Sequence, residues 1–479
     1  MSKLMKKRYI AWPVLALMDF VTVIGFDDII YNFKNQGLGV VTSWIIMLFV
    51  YVLPYELIVG NLGSAFSHDT GGMTSWVKNT SGKKWGYICA WFYWVVGLPY
   101  IVDVANSMVV SFGWLILGNN SLEDKLTNSQ FALATAAIFL IFIWIQHHLR
   151  NSLEILSIIG GGAMFIMSIL FVLLTFVALG RGGHVATQPF NVKAFIPHFD
   201  LKYLSTLGLL IFAMNGAELV APYVSKMKDG KRDFPRAMIM LAIMTAFLTV
   251  LGSFSLGVFF NSHHLPADLK MNGSYYAFLA VGKQFGWGKT LMYVFAVTQA
   301  IYMAAQLAVL LDAGTRMFLS DTAKEFLPKR LTKVNSQGLP INGYWLTTII
   351  CVIILVMSAT LPHMNDIFNW LLDVNGIVSP FSTCFLFWAF IKIRLNSEKY
   401  PSEYVFIKND KLAVAVGIWC FVATFICAAA SILPSDAAYG TAQFTHELIL
   451  NITLPLIMTA IGITLPLIAK WERRNDIAS

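Results

Sequence analysis

Trp12-Pro13-Val14-Leu15-Ala16-Leu17-Met18-Asp19-Phe20-Val21-Thr22-Val23-Ile24-Gly25-Phe26-Asp27-Asp28 is the stretch on which the fold turns. Most of it is apolar, as a membrane span requires, yet it holds three carboxylates and a glycine. A carboxylate at the bilayer centre costs ~3 kcal/mol on insertion scales, so three on one helix need compensation. Unwinding beside Gly25 supplies it. Asp27 or Asp28 can then cap the second half-helix, whose first N–H groups otherwise lack partners. Broken helices persist at membrane depth only where they line a cavity, and in transporters such breaks hold the substrate.

Outward from this stretch, the chain continues in the same apolar style. It is 57% hydrophobic and only 13% charged over 479 residues, far from a soluble balance. A spanning helix needs ~20 mostly apolar residues. Twelve segments qualify, near 9–33, 39–66, 86–117, 130–147, 152–180, 203–225, 236–260, 276–311, 344–361, 366–395, 412–433 and 446–471. Of the 34 lysines and arginines, all but Lys34, Lys125, Arg181, Lys193, Lys202, Lys270, Lys283 and Lys289 fall at the termini or in every second gap. That alternation predicts a multi-pass protein of the cell membrane with both termini in the cytoplasm. The net charge of +8 then reflects orientation and contact with anionic lipid, not nucleic-acid binding.

Polar irregularities recur inside other spans. The sixth reads Phe212-Ala213-Met214-Asn215-Gly216-Ala217-Glu218, a second candidate break. Asp103 and Asn106 on the third span are three apart and share a helix face, with Tyr93, Trp94 and Tyr100 nearby. Gln299, Tyr302 and Gln306 on the eighth span, and Asp373 and Asn375 on the tenth, suit either pore lining or helix-to-helix hydrogen bonds. The two breaks, about 190 residues apart, suit an inverted repeat of two five-helix units. The expected organisation is a first repeat over 1–180, a second over 203–395, and two additional helices with the C-terminal tail over 412–479.

Enzyme chemistry finds no foothold. Gly282-Lys283-Gln284-Phe285-Gly286-Trp287-Gly288-Lys289-Thr290 echoes a phosphate-binding loop, but its first glycine is one position too far and the loop faces outward. Cys89, Cys351, Cys384, Cys420 and Cys427 lie inside spans without metal-ligand spacing. His147-His148 and His263-His264 sit at span ends, where imidazoles are commonly interfacial. No cofactor or metal is expected, and a transport cycle would run on solute gradients.

Three further patterns carry a family resemblance: Gly71-Gly72-Met73-Thr74-Ser75-Trp76, the sixth-span motif followed by Asp233-Phe234-Pro235-Arg236-Ala237, and Leu327-Pro328-Lys329-Arg330-Leu331-Thr332-Lys333-Val334-Asn335-Ser336-Gln337-Gly338-Leu339-Pro340. Together they resemble the amino acid–polyamine–organocation superfamily of transporters. Val23-Ile24-Gly25-Phe26 and Asn35-Gln36-Gly37-Leu38 look most like its glutamate:GABA antiporter branch. The resemblance implies an all-α polytopic fold of twelve transmembrane helices, a five-plus-five inverted repeat with two extra helices at the C-terminus. It also implies alternating access around a central site between spans 1, 3, 6, 8 and 10. By matching position, Phe212 would be an aromatic gate and Glu218 the acid of the sixth span.

One departure bears on substrate. Amino-acid-binding relatives have small residues where this chain has Gly25-Phe26-Asp27, and their free N–H groups receive the substrate carboxylate. Here a protein carboxylate is placed to fill that anion site. The expected substrate-binding set is Gly25, Phe26, Asp27, Asp103, Asn106, Phe212, Asn215 and Glu218, with acids and no base. The charge favours a cationic amine pair such as agmatine and putrescine, reinforced by a likeness to agmatine:putrescine antiporters. Alternatives are tyrosine/tyramine or glutamate/GABA exchange, and an amine-sensing or channel-like protein of the same fold.

Overall fold

The computed structural model describes residues 9–148, 152–319, 324–334, 341–359, 363–434 and 439–478. The connection expected before the ninth span therefore lies partly outside the described residues. Among those residues, ten helices are long and apolar enough to cross a membrane. The helix Ile341–Ser358 and a broken first span occupy the other two expected segments. Outward-facing apolar side chains such as Ile116 and Leu133, 80% and 72% exposed, suit contact with lipid.

The first span is two half-helices, Trp12–Val23 and Phe26–Gln36, joined through extended backbone at Ile24 and Gly25. Pro13 opens the first half, where its missing N–H is harmless. The sixth span runs as an α-helix over Leu201–Phe212, loosens, and resumes as a 3-10 helix over Ala217–Lys226. Gly216 sits at the join with φ of 126°, which side chains with a Cβ rarely adopt. The second and seventh spans, Gly39–Ala65 and Gly230–Phe259, each contain a π-helical turn, at Leu48–Val52 and Phe247–Gly252. Trp44 on the second donates its indole N–H to Ser253 on the seventh at 3.0 Å.

The expected eighth span is corrected. Residues 276–284 belong to a separate helix, Leu269–Gln284, and the eighth span is Thr290–Leu319. Gly286 and Gly288, at φ of 74° and 57°, turn the chain between the two. The extra helix lies against Phe26–Gln36, and Lys34 holds the segment before it by donating to the Pro266 carbonyl at 2.7 Å. Trp114 on the third span, Lys83–Leu117, donates to Asn272 on it at 2.8 Å.

Loops that carry most of the basic residues meet on one face, called here the basic face. Lys231 and Arg232 pair with Glu403 at 3.0 and 3.4 Å, and Lys83 pairs with Glu325 at 3.6 Å. Glycines let the helices approach closely. A Cβ at Gly160 of the fifth span, Ser152–Gly180, would lie 3.0 Å from the Ile301 carbonyl oxygen. One at Gly161 would lie 3.0 Å from that of Leu17. At Gly208 a Cβ would come within 2.4 Å of the Gly376 carbonyl on the tenth span, Met364–Leu395, and 2.1 Å of the Ser431 hydroxyl. Gly208→Val should therefore force spans six and ten apart and cost ~1–3 kcal/mol, as overpacking does. A fall in the detergent melting temperature of purified protein checks this.

Candidate functional site

Both breaks leave backbone groups that water cannot serve at membrane depth, and each is closed by a tyrosine from another span. The Tyr302 hydroxyl is 3.2 Å from the Phe20 carbonyl and 3.0 Å from that of Ile24, at the end of the first half-helix. Gly25 permits this approach, since a Cβ there would meet the Tyr302 ring at 3.2 Å. On the other side of the break, the Asp28 carboxylate accepts the Gly25 N–H at 2.7 Å. At the sixth-span break, Tyr55 accepts the N–H groups of Gly216 and Ala217 at 2.9 and 3.0 Å and donates to Glu218. Tyr93 donates to the other Glu218 oxygen at 2.9 Å. Asn215 accepts from Tyr51 at 2.8 Å and donates to Thr383 at 2.9 Å.

Two cavities adjoin the breaks. The larger is lined by Thr22 and Val23, by Tyr93, Trp94, Val96, Gly97, Tyr100 and Ile101 of the third span, and by Phe212, Asn215, Gly216 and Glu218. Leu310, Gly314 and Thr315 of the eighth span, Thr347, Ser379 and Ser382 complete it. The smaller is lined by Gly25, Asp27, Asp28, Tyr31, Asp103, Tyr302 and Gln306, among others. Tyr100 borders both and packs edge-on against Phe212, with ring centroids 5.0 Å apart. Gln306 holds the Tyr100 hydroxyl at 2.6 Å. Tyr100 thus lies between the two cavities, and Phe212 lines the larger one beside it.

The predicted residues divide accordingly. Phe212, Asn215 and Glu218 come together at the larger cavity, and Gly25, Asp27 and Asp103 at the smaller. Asp27 accepts from Ser274 and, at 2.5 Å, from Gln299, while one oxygen of buried Asp103 has no partner. Phe26 and Asn106 line neither cavity. Phe26 packs among Phe171, Phe278 and Phe295, and Asn106 accepts from Thr135 at 2.9 Å. Sequence reasoning missed Tyr55, Thr22, Thr315 and the two serines of the tenth span. An acid at position 56 inside an apolar run was the signal that the second span faces the interior.

Toward the basic face, Asp312 gathers a buried cluster. Arg316 donates to it at 2.7 Å and Tyr223 at 2.6 Å, and Tyr344 donates as well. These contacts tie the sixth, eighth and ninth spans together. No group of three or more metal-ligating side chains occurs among the described residues.

Two broken spans around a polar cavity are the architecture of a carrier. A family model for amino acid permeases matches residues 11–460. The chain belongs to the amino acid permease family. The permease is therefore a multi-pass membrane transporter and not an enzyme, as the sequence motifs implied. It is 39% identical over 476 residues to an aspartate/glutamate permease of Lactococcus lactis subsp. cremoris, spanning 98% of this chain and 97% of that one. A probable agmatine/putrescine antiporter of Lactococcus lactis subsp. lactis is 24% identical over 85% of this chain and 84% of its own. Among solved structures, that of MhsT in complex with L-phenylalanine superposes with a TM-score of 0.61 at 14% identity. It covers 89% of this chain and 100% of that one, a likeness of fold.

Removing the Tyr55 hydroxyl should strand the Gly216 and Ala217 N–H groups, at ~1–3 kcal/mol for buried unsatisfied groups. Tyr55→Phe is expected to lower both the melting temperature and the transport rate. Tyr51→Phe should do less, because Asn215 keeps its bond to Thr383. Equal melting of Tyr55→Phe and wild type would show that the hydroxyl is not the cap.

Proposed function

We propose that the permease carries acidic amino acids, aspartate and glutamate, across the cell membrane by alternating access. The near end-to-end likeness to an aspartate/glutamate permease carries this reading. The larger cavity does not oppose it, although no Lys, Arg or His lines it. Its carboxylate, Glu218, is already engaged by two phenols, and its remaining polar lining is hydroxyl and amide: Thr22, Asn215, Thr315, Ser379 and Ser382. Asp27, on which the charge argument for a cationic substrate leaned, is held by Ser274 and Gln299.

In this reading both termini and the basic face are cytoplasmic, and the larger cavity is the inner vestibule. Phe212 and Tyr100 form the partition that parts when the site opens to the other side. Spans 1–5 and 6–10 are inverted repeats. The paired breaks in spans one and six and the paired π turns in spans two and seven support that symmetry.

A second reading, exchange of cationic amines such as agmatine and putrescine, is favoured by a different observation. The smaller cavity holds Asp27, Asp28 and Asp103 and has no Lys, Arg or His in its lining. In that case Asp27 and Asp103 bind the cationic ends of the substrate, and each contact is worth ~1.5–3 kcal/mol, about ten- to a hundredfold in affinity.

Counterflow in proteoliposomes separates the two. Vesicles preloaded with unlabelled aspartate should accelerate entry of labelled aspartate and glutamate, in the absence of ATP and sodium, with no competition from agmatine. Counterflow of agmatine and putrescine without aspartate would overturn the acidic reading. Under the acidic reading, Asp27→Asn and Asp103→Asn should leave aspartate affinity near wild type, whereas under the amine reading each weakens amine transport strongly.

Phe212 offers a test of the partition itself. Phe212→Ala should lose counterflow, while Phe212→Trp keeps an aromatic face against Tyr100 and retains part of it. Equal loss in both variants would assign Phe212 to packing alone.

A further inference from the structure

Three buried carboxylates neighbour one another beside the larger cavity. Asp19 on the first half-helix, Glu56 on the second span and Glu218 after the sixth-span break lie within one another's electrostatic field. None is more than 1% exposed. Their surroundings differ. Glu218 is satisfied by Tyr55 and Tyr93. Neither carboxyl oxygen of Glu56 has a hydrogen-bond partner, and Oδ2 of Asp19 has none. Thr22 touches Asp19 from the cavity side, donating to its carbonyl at 2.8 Å and lying 3.5 Å from Oδ1.

An ionised carboxylate with no protein donor or cationic side chain beside it is costly for a fold to hold, and in practice such a group is neutralised. Two neighbouring ones compound the cost, since like charges oppose joint ionisation. The remaining titratable groups around the cluster are Tyr51, Tyr55, Tyr93 and Cys89, which bring no positive charge. Charged side chains on the helices packed against it, Glu154, Lys226, Asp312 and Arg316, interact with one another instead. Those at the start of the seventh span, such as Lys231 and Arg236, lie among the exposed pairs of the basic face.

Both orphan acids stand close to the cavity. Thr22, which lines it, touches Asp19. Glu56 lies within the electrostatic field of the cavity acid Glu218. We propose that Asp19 and Glu56 are a proton-binding pair that couples transport to a proton gradient, loading from one face and unloading to the other as the cavity changes its opening. The carboxyl oxygens bind and release protons only, and no other bond is made or broken. The inference does not depend on whether the substrate is an acidic amino acid or an amine.

The test uses the full-length protein and the variants Asp19→Asn, Glu56→Gln and the double variant. Infrared difference spectroscopy of wild type across pH should show a protonated carboxylic C=O band that shrinks in each single variant and loses both contributions in the double one. This measurement needs no substrate. In proteoliposomes, with labelled L-aspartate as probe, or agmatine if the amine gives the counterflow, a pH gradient should drive accumulation in wild type. The double variant should lose that accumulation and keep counterflow. An unchanged band in the double variant overturns the proposal, as does accumulation that stays pH-driven there. Loss of counterflow together with accumulation marks a packing role and overturns it too. Failure of the substrate reading would appear separately, in which probe exchanges.

Discussion

Everything near the centre of this protein depends on one requirement: a helix that unwinds inside a membrane must find partners for its freed backbone groups within the protein. The fold meets it twice with the same device, a phenol reaching across from another span. Tyr302 closes the first break from the carbonyl side, and Tyr55 closes the second from the N–H side. A phenol suits the task because its oxygen both donates and accepts. Tyr55 uses all of that capacity, accepting two backbone N–H groups while donating to Glu218.

From these closures follows the partition of the interior. Once Asp28 is committed to the Gly25 N–H and Asp27 to Ser274 and Gln299, these two acids of the first span belong to the smaller cavity, while Asp19 stays beside the larger one. The hydroxyl-rich cavity on the basic side is left with a single acid in its lining. Tyr100 and Phe212 stand between.

How much of this could be read in the residues follows from what periodicity and composition encode. The break at Gly25 was legible because a glycine and two acids interrupt an apolar run, and the sixth-span break because Asn215, Gly216 and Glu218 do the same. The phenols that close them were not. A tyrosine within a span reads equally as packing, and its reach depends on how neighbouring helices are rotated. The destination of Asp27 was hidden for a related reason, since unwinding resets the azimuth of every residue beyond it. The separate helix Leu269–Gln284 was absorbed into the eighth span because both are apolar. Gly286 and Gly288 marked the turn, but among glycines that echoed a phosphate loop their simpler meaning as a chain reversal was passed over.

The glycine pair on the fifth span has a mechanical meaning. Facing helices usually interlock as ridges in grooves, so that relative movement means lifting side chains out of their seats. At Gly160 and Gly161 there is nothing to lift. The backbones of the first half-helix and the eighth span come against bare main chain there, with the Val21 and Ala305 side chains beside them. That closeness makes the seam unforgiving. A methyl group added there acts as a wedge between the packed helices.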